Sequence, residues 1–338
     1  MKKLFIYLIT LVTLLSPLFV MAVDTPTTDT TPQLQKAFSD VDQSHSNFVA
    51  IQFLKDKGII TGYADGSFQP AKLVNRAEAL KILLEGNKVQ TAVPNVSSFP
   101  DVKLTDWFVK YVETAKTSGI IKGNPDGTYA PSRNVSRAEF LKMLLILNSF
   151  IPDKWSGQKM FNDVPKDAWY APYLNYAGQA GLLTKDDKNN LYPARELTRG
   201  DVAEIMYLMT VIRNDKDTQF LIDQTEAQMS QIEIYIGVYN LNAAKRASSL
   251  SVDFSQEALL NMPSDKVVLA AAKLAKAYDF LINSFIAALN KDYTSSKNWA
   301  DQAVAKATEA WEVNHDIQAI AKHIKDRAAE IVAQYPKT

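Results

Sequence analysis

The chain has no cysteine and only three histidines, His45, His315 and His323, among its 338 residues. Without thiols there is no disulfide framework, no thiolate metal site and no cysteine nucleophile, so core burial has to hold the fold. A lipid acylated at cysteine is excluded on the same ground. His315 and His323 stand on a helical stretch without the carboxylate spacing of a known metal site, and read as surface or boundary residues. No glycine-rich phosphate loop, no Gly-x-Ser-x-Gly and no His-Glu-x-x-His is present. The acidic run Asp186-Asp187-Lys188-Asn189-Asn190 lacks the spacing and closing Glu of an EF-hand. No cofactor and no metal are therefore expected. Excess charge of either sign is missing too: Lys+Arg and Asp+Glu are 37 each, which argues against a nucleic-acid partner.

What is present begins with an export pattern. Lys2 and Lys3 precede an apolar run from Leu4 to Leu15, and Val20-Met21-Ala22 gives a small-residue exit, so residues 1–22 read as a signal peptide cleaved after Ala22. An uncleaved anchor is the competing reading, but Ser16-Pro17 interrupts a run already short for a membrane span. No later stretch is apolar enough to cross a bilayer, so no membrane span is expected after cleavage. Residues 23–36, rich in Thr, Pro and Asp, read as a flexible linker.

From Phe38 onward an internal repeat dominates. Phe38-Ser39-Asp40-Val41, Phe99-Pro100-Asp101-Val102 and Phe161-Asn162-Asp163-Val164 open three copies. At matching offsets each copy then carries a glycine (Gly58, Gly119, Gly181), a proline (Pro70, Pro131, Pro193), an arginine (Arg76, Arg137, Arg199) and an acid (Glu78, Glu139, Asp201). Apolar residues at helical spacing mark a first helix over Phe48–Lys57, Phe108–Ser118 and Tyr170–Ala180, and each glycine fits a positive-φ cap at its end. Turn-rich loops follow, Tyr63-Ala64-Asp65-Gly66 and Asn124-Pro125-Asp126-Gly127. Asn75, Ser136 and Thr198 are N-cap residues for a second helix, with the acid completing a capping box. A helix-loop-helix unit cannot bury its apolar face alone, so three should close into one all-α domain.

Phe-x-Asp-Val, a Trp, Gly-Ile-Ile-x-Gly-x-x-Asp-Gly-x-Tyr-x-Pro and an Arg-Ala-Glu helix start resemble the S-layer homology (SLH) repeat, best of all in the second copy. The copies span 38–90, 99–150 and 161–213. The resemblance implies a pseudo-threefold helical prism whose inter-repeat grooves bind a secondary cell-wall polysaccharide or a peptidoglycan-linked glycan, acidic in well-studied members. It implies a cell-surface or cell-wall location. Within that frame Arg76, Arg137 and Arg199 are candidates for an acidic sugar substituent, because a guanidinium fork matches a carboxylate bidentately. Trp107 and Trp169 offer flat faces for a sugar ring, and Asp65 and Asp126 can accept from hydroxyls. Against this stands a structural role: an arginine beside an acid in a first helical turn also makes an ion pair, and tryptophan is more often core.

The copies differ. Ser46 stands at the Trp position of the first; in the third, Lys185 stands where Gly62 and Gly123 are, Lys188-Asn189 replaces Asp-Gly, and Gly200 follows the arginine. The second copy should supply the most competent groove, and a groove needing the third loop is not expected.

Residues 214–338 change character, being rich in Ala, Lys, Gln, Leu and Ile. Helical periodicity over Phe220–Leu250, Lys266–Asn290 and Ser296–Gln334 predicts an antiparallel bundle of three or four helices, the last span breaking near Asn314. Two functions from different classes fit. One is a non-enzymatic anchored surface protein whose bundle serves display, self-association or partner binding. The other is an envelope hydrolase targeted by its repeats, since paired carboxylates meet only in three dimensions; the missing motifs favour the first.

Overall fold

The computed structural model describes residues 36–150 and 160–335. The signal peptide expected at 1–22 lies outside them, as does the linker apart from Lys36. The fold is all-α, and among the described residues no helix is long and apolar enough to cross a membrane. The chain divides into two compact units: residues 37–42 with 50–212, and residues 43–49 with those from Arg213 onward.

The first unit is built from three helix pairs: α1 (Phe48–Asp56) and α2 (Arg76–Gly86), α3 (Val109–Thr117) and α4 (Arg137–Leu147), α5 (Ala171–Gln179) and α6 (Arg199–Arg213). The first helix of each pair stops where Gly58, Gly119 and Gly181 take φ of 67°, 72° and 74°, a region that favours glycine. The second helix starts on a reciprocal cap. Asn75 and Ser136 accept from the Glu78 and Glu139 N–H groups while those glutamates accept from the cap N–H in return. Thr198 and Asp201 repeat the exchange.

Three residues just ahead of these caps close the copies on one another. Val74 N–H donates to the Leu197 carbonyl (2.9 Å), Val135 N–H to Val74 (2.9 Å) and Leu197 N–H to Val135 (3.1 Å). All three are fully buried, so each copy satisfies its neighbour's backbone where water cannot. The ring makes the copies mutually dependent.

The opening motif has a mechanical role. Phe38 and Phe99 are buried against Phe68 and Tyr129 of their own loops, with ring centroids 5.1 and 5.6 Å apart. The aspartate two residues on clamps the same loop. Asp40 accepts from Phe68 and Gln69 N–H (2.7 Å each), Asp101 from Tyr129 (2.9 Å) and Ala130 (2.7 Å), Asp163 from Leu191 (2.8 Å) and Tyr192 (2.6 Å). The second residue of each pair, Gln69, Ala130 or Tyr192, sits at φ between 52° and 56°, a conformation an L side chain resists.

The third loop keeps the shape its letters do not advertise. Gly66 N–H donates to the Tyr63 carbonyl and Gly127 N–H to Asn124; Asn189 N–H donates to Asp186 in the same way, at φ 60°. Asparagine tolerates that region better than other side chains, so the turn survives loss of glycine.

Among the described residues the second unit holds five helices, α7 (Thr218–Gly237), α8 (Leu241–Asn261), α9 (Lys266–Leu289), α10 (Tyr293–Val313) and α11 (Gln318–Ala333), with a 3-10 turn at His315–Ile317. The break near Asn314 falls where expected. The span read as one helix over Phe220–Leu250 is two, because Tyr239 turns to φ 57° and Asn240 caps α8 through Ala243 N–H. The core is dominated by small residues, including Ala244, Ala247, Ala270, Ala275, Ala300, Ala303, Ala307 and Ala310, which let helices approach closely.

Candidate functional site

The arginines turn inward and bind the next copy. Arg76 Nε donates to the Tyr129 carbonyl (2.9 Å), and one terminal nitrogen pairs with Glu139 (2.8 Å); its guanidinium lies over the Tyr129 ring at 4.5 Å. Arg137 donates to the Leu191 carbonyl. Arg199 donates to Phe68 (2.7 Å) and Thr61 (3.1 Å) carbonyls, over the Phe68 ring at 4.5 Å. Copy one thus holds the loop of copy two, copy two that of copy three, and copy three that of copy one. Arg76 and Arg137 are buried, 6% and 8% exposed. Burial, helped by the charge of Arg195, brings Arg137 down to about 10, and its Nε has no hydrogen-bond partner.

Glu139 accepts from three residues: Arg76 (2.8 Å), Arg133 (2.5 and 3.2 Å) and Ser136, through its N–H and its hydroxyl (3.0 Å each). Burial opposes its charge, but the hydrogen bonds from Arg133 and Ser136 and the charge of Arg76 outweigh it and hold the carboxyl below its usual 4.5. A depressed folded value means that this contribution is complete above the ordinary range and is lost as pH falls through the folded value. Glu139→Gln is expected to lower stability at neutral pH and to flatten the acid limb of a pH–stability curve. Curves that stay parallel down to about pH 3 would remove Glu139 from the acid transition.

Asp65 and Asp126 sit exposed on the first two loops. Each accepts from a hydroxyl and a backbone N–H two residues on: Ser67 Oγ (2.7 Å) and N (2.9 Å), Thr128 Oγ1 (2.7 Å) and N (2.9 Å). These bonds, the hydroxyls first, pull both carboxyls below the usual aspartate range, so both are ionised at neutral pH.

Trp107 and Trp169 are exposed as well, 54% each, and stand just before α3 and α5. Each ring is braced edge-on by the next aromatic residue, Phe108 at 5.3 Å and Tyr170 at 5.3 Å. Each also lies beneath a lysine from the preceding copy's second helix. Lys81 Nζ is 6.0 Å from the Trp107 centroid and Lys142 Nζ 5.1 Å from that of Trp169, across the α2–α3 and α4–α5 seams. In the first seam Tyr111 also donates to Glu85; burial and that bond raise the phenol to about 12. Burial, then the charges of Lys122 and Arg76, lower Lys142. The two lysines were not among the residues picked out from the sequence. Their signal was available, since they occupy one offset in two copies while Glu204 stands there in the third.

Three helix pairs closed into one ring by backbone bonds define a repeat-built helical module. The family model for the S-layer homology domain matches residues 37–80, 98–141 and 161–203. The chain carries three S-layer homology domains in tandem, and its place is the cell surface or envelope.

Three relatives give the context. A cellulosome-anchoring protein of Acetivibrio thermocellus is 33% identical over 137 residues, 39% of this chain and 30% of that protein. S-layer protein EA1 of Bacillus anthracis is 28% identical over 184 residues, 54% of this chain and 21% of the other. Exoglucanase XynX of Acetivibrio thermocellus is 26% identical over 175 residues, 50% of this chain and 16% of the enzyme. The matched stretches thus span less than a third of these relatives' own length.

Proposed function

We propose that the chain is held non-covalently to a cell-envelope polysaccharide through its S-layer homology domains, with the Lys81–Trp107 and Lys142–Trp169 seams as the glycan contacts and the C-terminal unit displayed for assembly or partner binding. The observation that carries this reading is the recurrence of the same half-exposed indole and lysine in two seams. A sugar ring can lay its C–H face on the indole while an acidic substituent meets the ammonium, a pairing suited to an acidic glycan. Arg199 and Arg76 contribute by fixing the loops that carry Asp65 and Asp126, and Arg137 fixes the loop of the third copy. Secondary cell-wall polysaccharide or a peptidoglycan-linked glycan has the required chemistry. Ser46 and Glu204 stand where the other copies have tryptophan and lysine, which leaves two complete pairs.

The test is co-sedimentation of the full chain with purified cell-wall sacculi, before and after acid extraction of their accessory polymers. Binding lost on extraction supports the reading; no binding to either preparation overturns it.

The resemblance to an exoglucanase keeps a second reading in play, a hydrolase targeted by the repeats. Two acids of the C-terminal unit are raised: burial, then the neighbouring Asp223, brings Glu226 on α7 to about 8, and burial raises Asp253 on α8. Release of reducing sugar from wall polymer, abolished by Glu226→Gln, would establish it.

A further inference from the structure

We infer that the C-terminal unit is a duplicated helical hairpin, two copies of a 52-residue unit followed by a polar-faced half copy, and hence a repeat scaffold for display rather than a domain built around a catalytic cleft. The elements fall in register: α8 and α10 start at Leu241 and Tyr293 and end at Asn261 and Val313, α7 and α9 end at Gly237 and Leu289, and α9 and α11 start at Lys266 and Gln318, each pair 52 residues apart.

The turns match bond for bond. Tyr239 (φ 57°) and Lys291 (φ 62°) occupy the same place, and Asn240 and Asp292 follow as N-caps accepting from Ala243 and Ser295 N–H. Tyr239 to Ile236, Asn240 to Tyr235, Ala244 to Asn240 and Met262 to Ala258 are backbone bonds of the first hairpin. Lys291 to Ala288, Asp292 to Ala287, Ser296 to Asp292 and Asn314 to Ala310 repeat them in the second.

The packing matches as well. Ala244, Ser248, Ser251, Ser255 and Ala258 on α8 are buried and small; their counterparts on α10, Ser296, Ala300, Ala303, Ala307 and Ala310, are buried and small too. Successive helices pack in sequence order, and the leading helices meet one another, α7 with α9 and α9 with α11. That is the neighbour-only arrangement of a stacked repeat. In the half copy, α11 turns Lys322, Asp326, Ala329 and Glu330 to solvent, with a 2.5 Å Lys322–Asp326 ion pair, the polar outer face a terminal repeat needs. Between 241–265 and 293–317 only Lys245/Lys297, Val252/Val304, Glu257/Glu309 and Ala258/Ala310 are identical, so the duplication persists as residue size and turn geometry.

The test inserts a second copy of residues 241–292 between Asp292 and Tyr293 of the full chain. A repeat scaffold should accept it, with helical circular dichroism per residue maintained and the insert as resistant to protease as its neighbours. Cleavage confined to the insert, or a loss of helicity equal to its share of the chain, would overturn the proposal. A point-substitution pair reads the same equivalence without lengthening the chain. Ser255→Leu and Ala307→Leu each overpack a matched site and should each lower the melting temperature by roughly 4 to 10 °C. One tolerated and the other collapsing would sink the idea.

Discussion

Replacing Asp101 with alanine should lower the stability of the repeat unit by about 3 kcal/mol, a larger loss than any other single change outside its apolar core. The carboxylate accepts from Tyr129 N–H (2.9 Å) and Ala130 N–H (2.7 Å), and hydrogen bonds to a charged group are worth about 1.5 to 3 kcal/mol each. Removing it strands two donors and frees the N–H end of Ala130, which the carboxylate helps hold at a φ of 56°. The effect should spread, because the Tyr129 carbonyl is what Arg76 of the preceding copy binds. Asp101→Asn should fall between the two, since one amide oxygen can replace only part of the pair. Urea denaturation of the three chains measures it; a loss under about 1 kcal/mol for the alanine variant would mean the loop holds itself.

Much of this architecture was legible in the sequence because each landmark answers a local backbone need. Gly58, Gly119 and Gly181 cap a helix, and Asn75, Ser136 and Thr198 start one; such requirements are written within a few residues of where they act. The direction of the arginines was not legible in the same way. Arg76, Arg137 and Arg199 sit where a helix start could aim a side chain outward or inward, and the choice depends on carbonyls more than fifty residues away in sequence.

The third copy shows how a lost signature can leave geometry intact. In the first two copies Gly62 and Gly123 lie against the rings of Phe38 and Phe99, where a Cβ would overlap, while Lys55 and Lys116 cover the rings from the helix side. In the third the glycine is on the helix: Gly178 stands at the lysine's place against Phe161, and Lys185 takes the glycine's place in the loop. The ring packs on whichever side is bare. A reading position by position registers two mismatches, whereas the packing records one exchange. The hairpin duplication of the C-terminal unit escaped for the opposite reason: its small buried residues and caps agree in size and role but rarely in identity.

The double change Trp107→Ala with Trp169→Ala should reduce wall binding on the order of 1,000-fold while shifting the melting temperature little. Both indoles are about half exposed and touch mainly their own neighbours, so their removal leaves the buried ring of Val74, Val135 and Leu197 untouched. A surface truncation of this sort costs roughly 0.5 kcal/mol of stability. Binding is a different matter, because a tryptophan that anchors a contact commonly carries about 2 kcal/mol. Two seams on one polymer act together, so losing both also removes the advantage of linkage. Each single variant should therefore weaken binding less than the square root of the double effect suggests, since the surviving seam keeps the polymer at high local concentration. Lys81→Ala with Lys142→Ala should give a smaller loss that grows as salt is lowered, as expected for a partly exposed ammonium meeting an acidic sugar. Unchanged sedimentation of the double tryptophan variant would move the glycan contact away from both seams and return the arginines to first consideration.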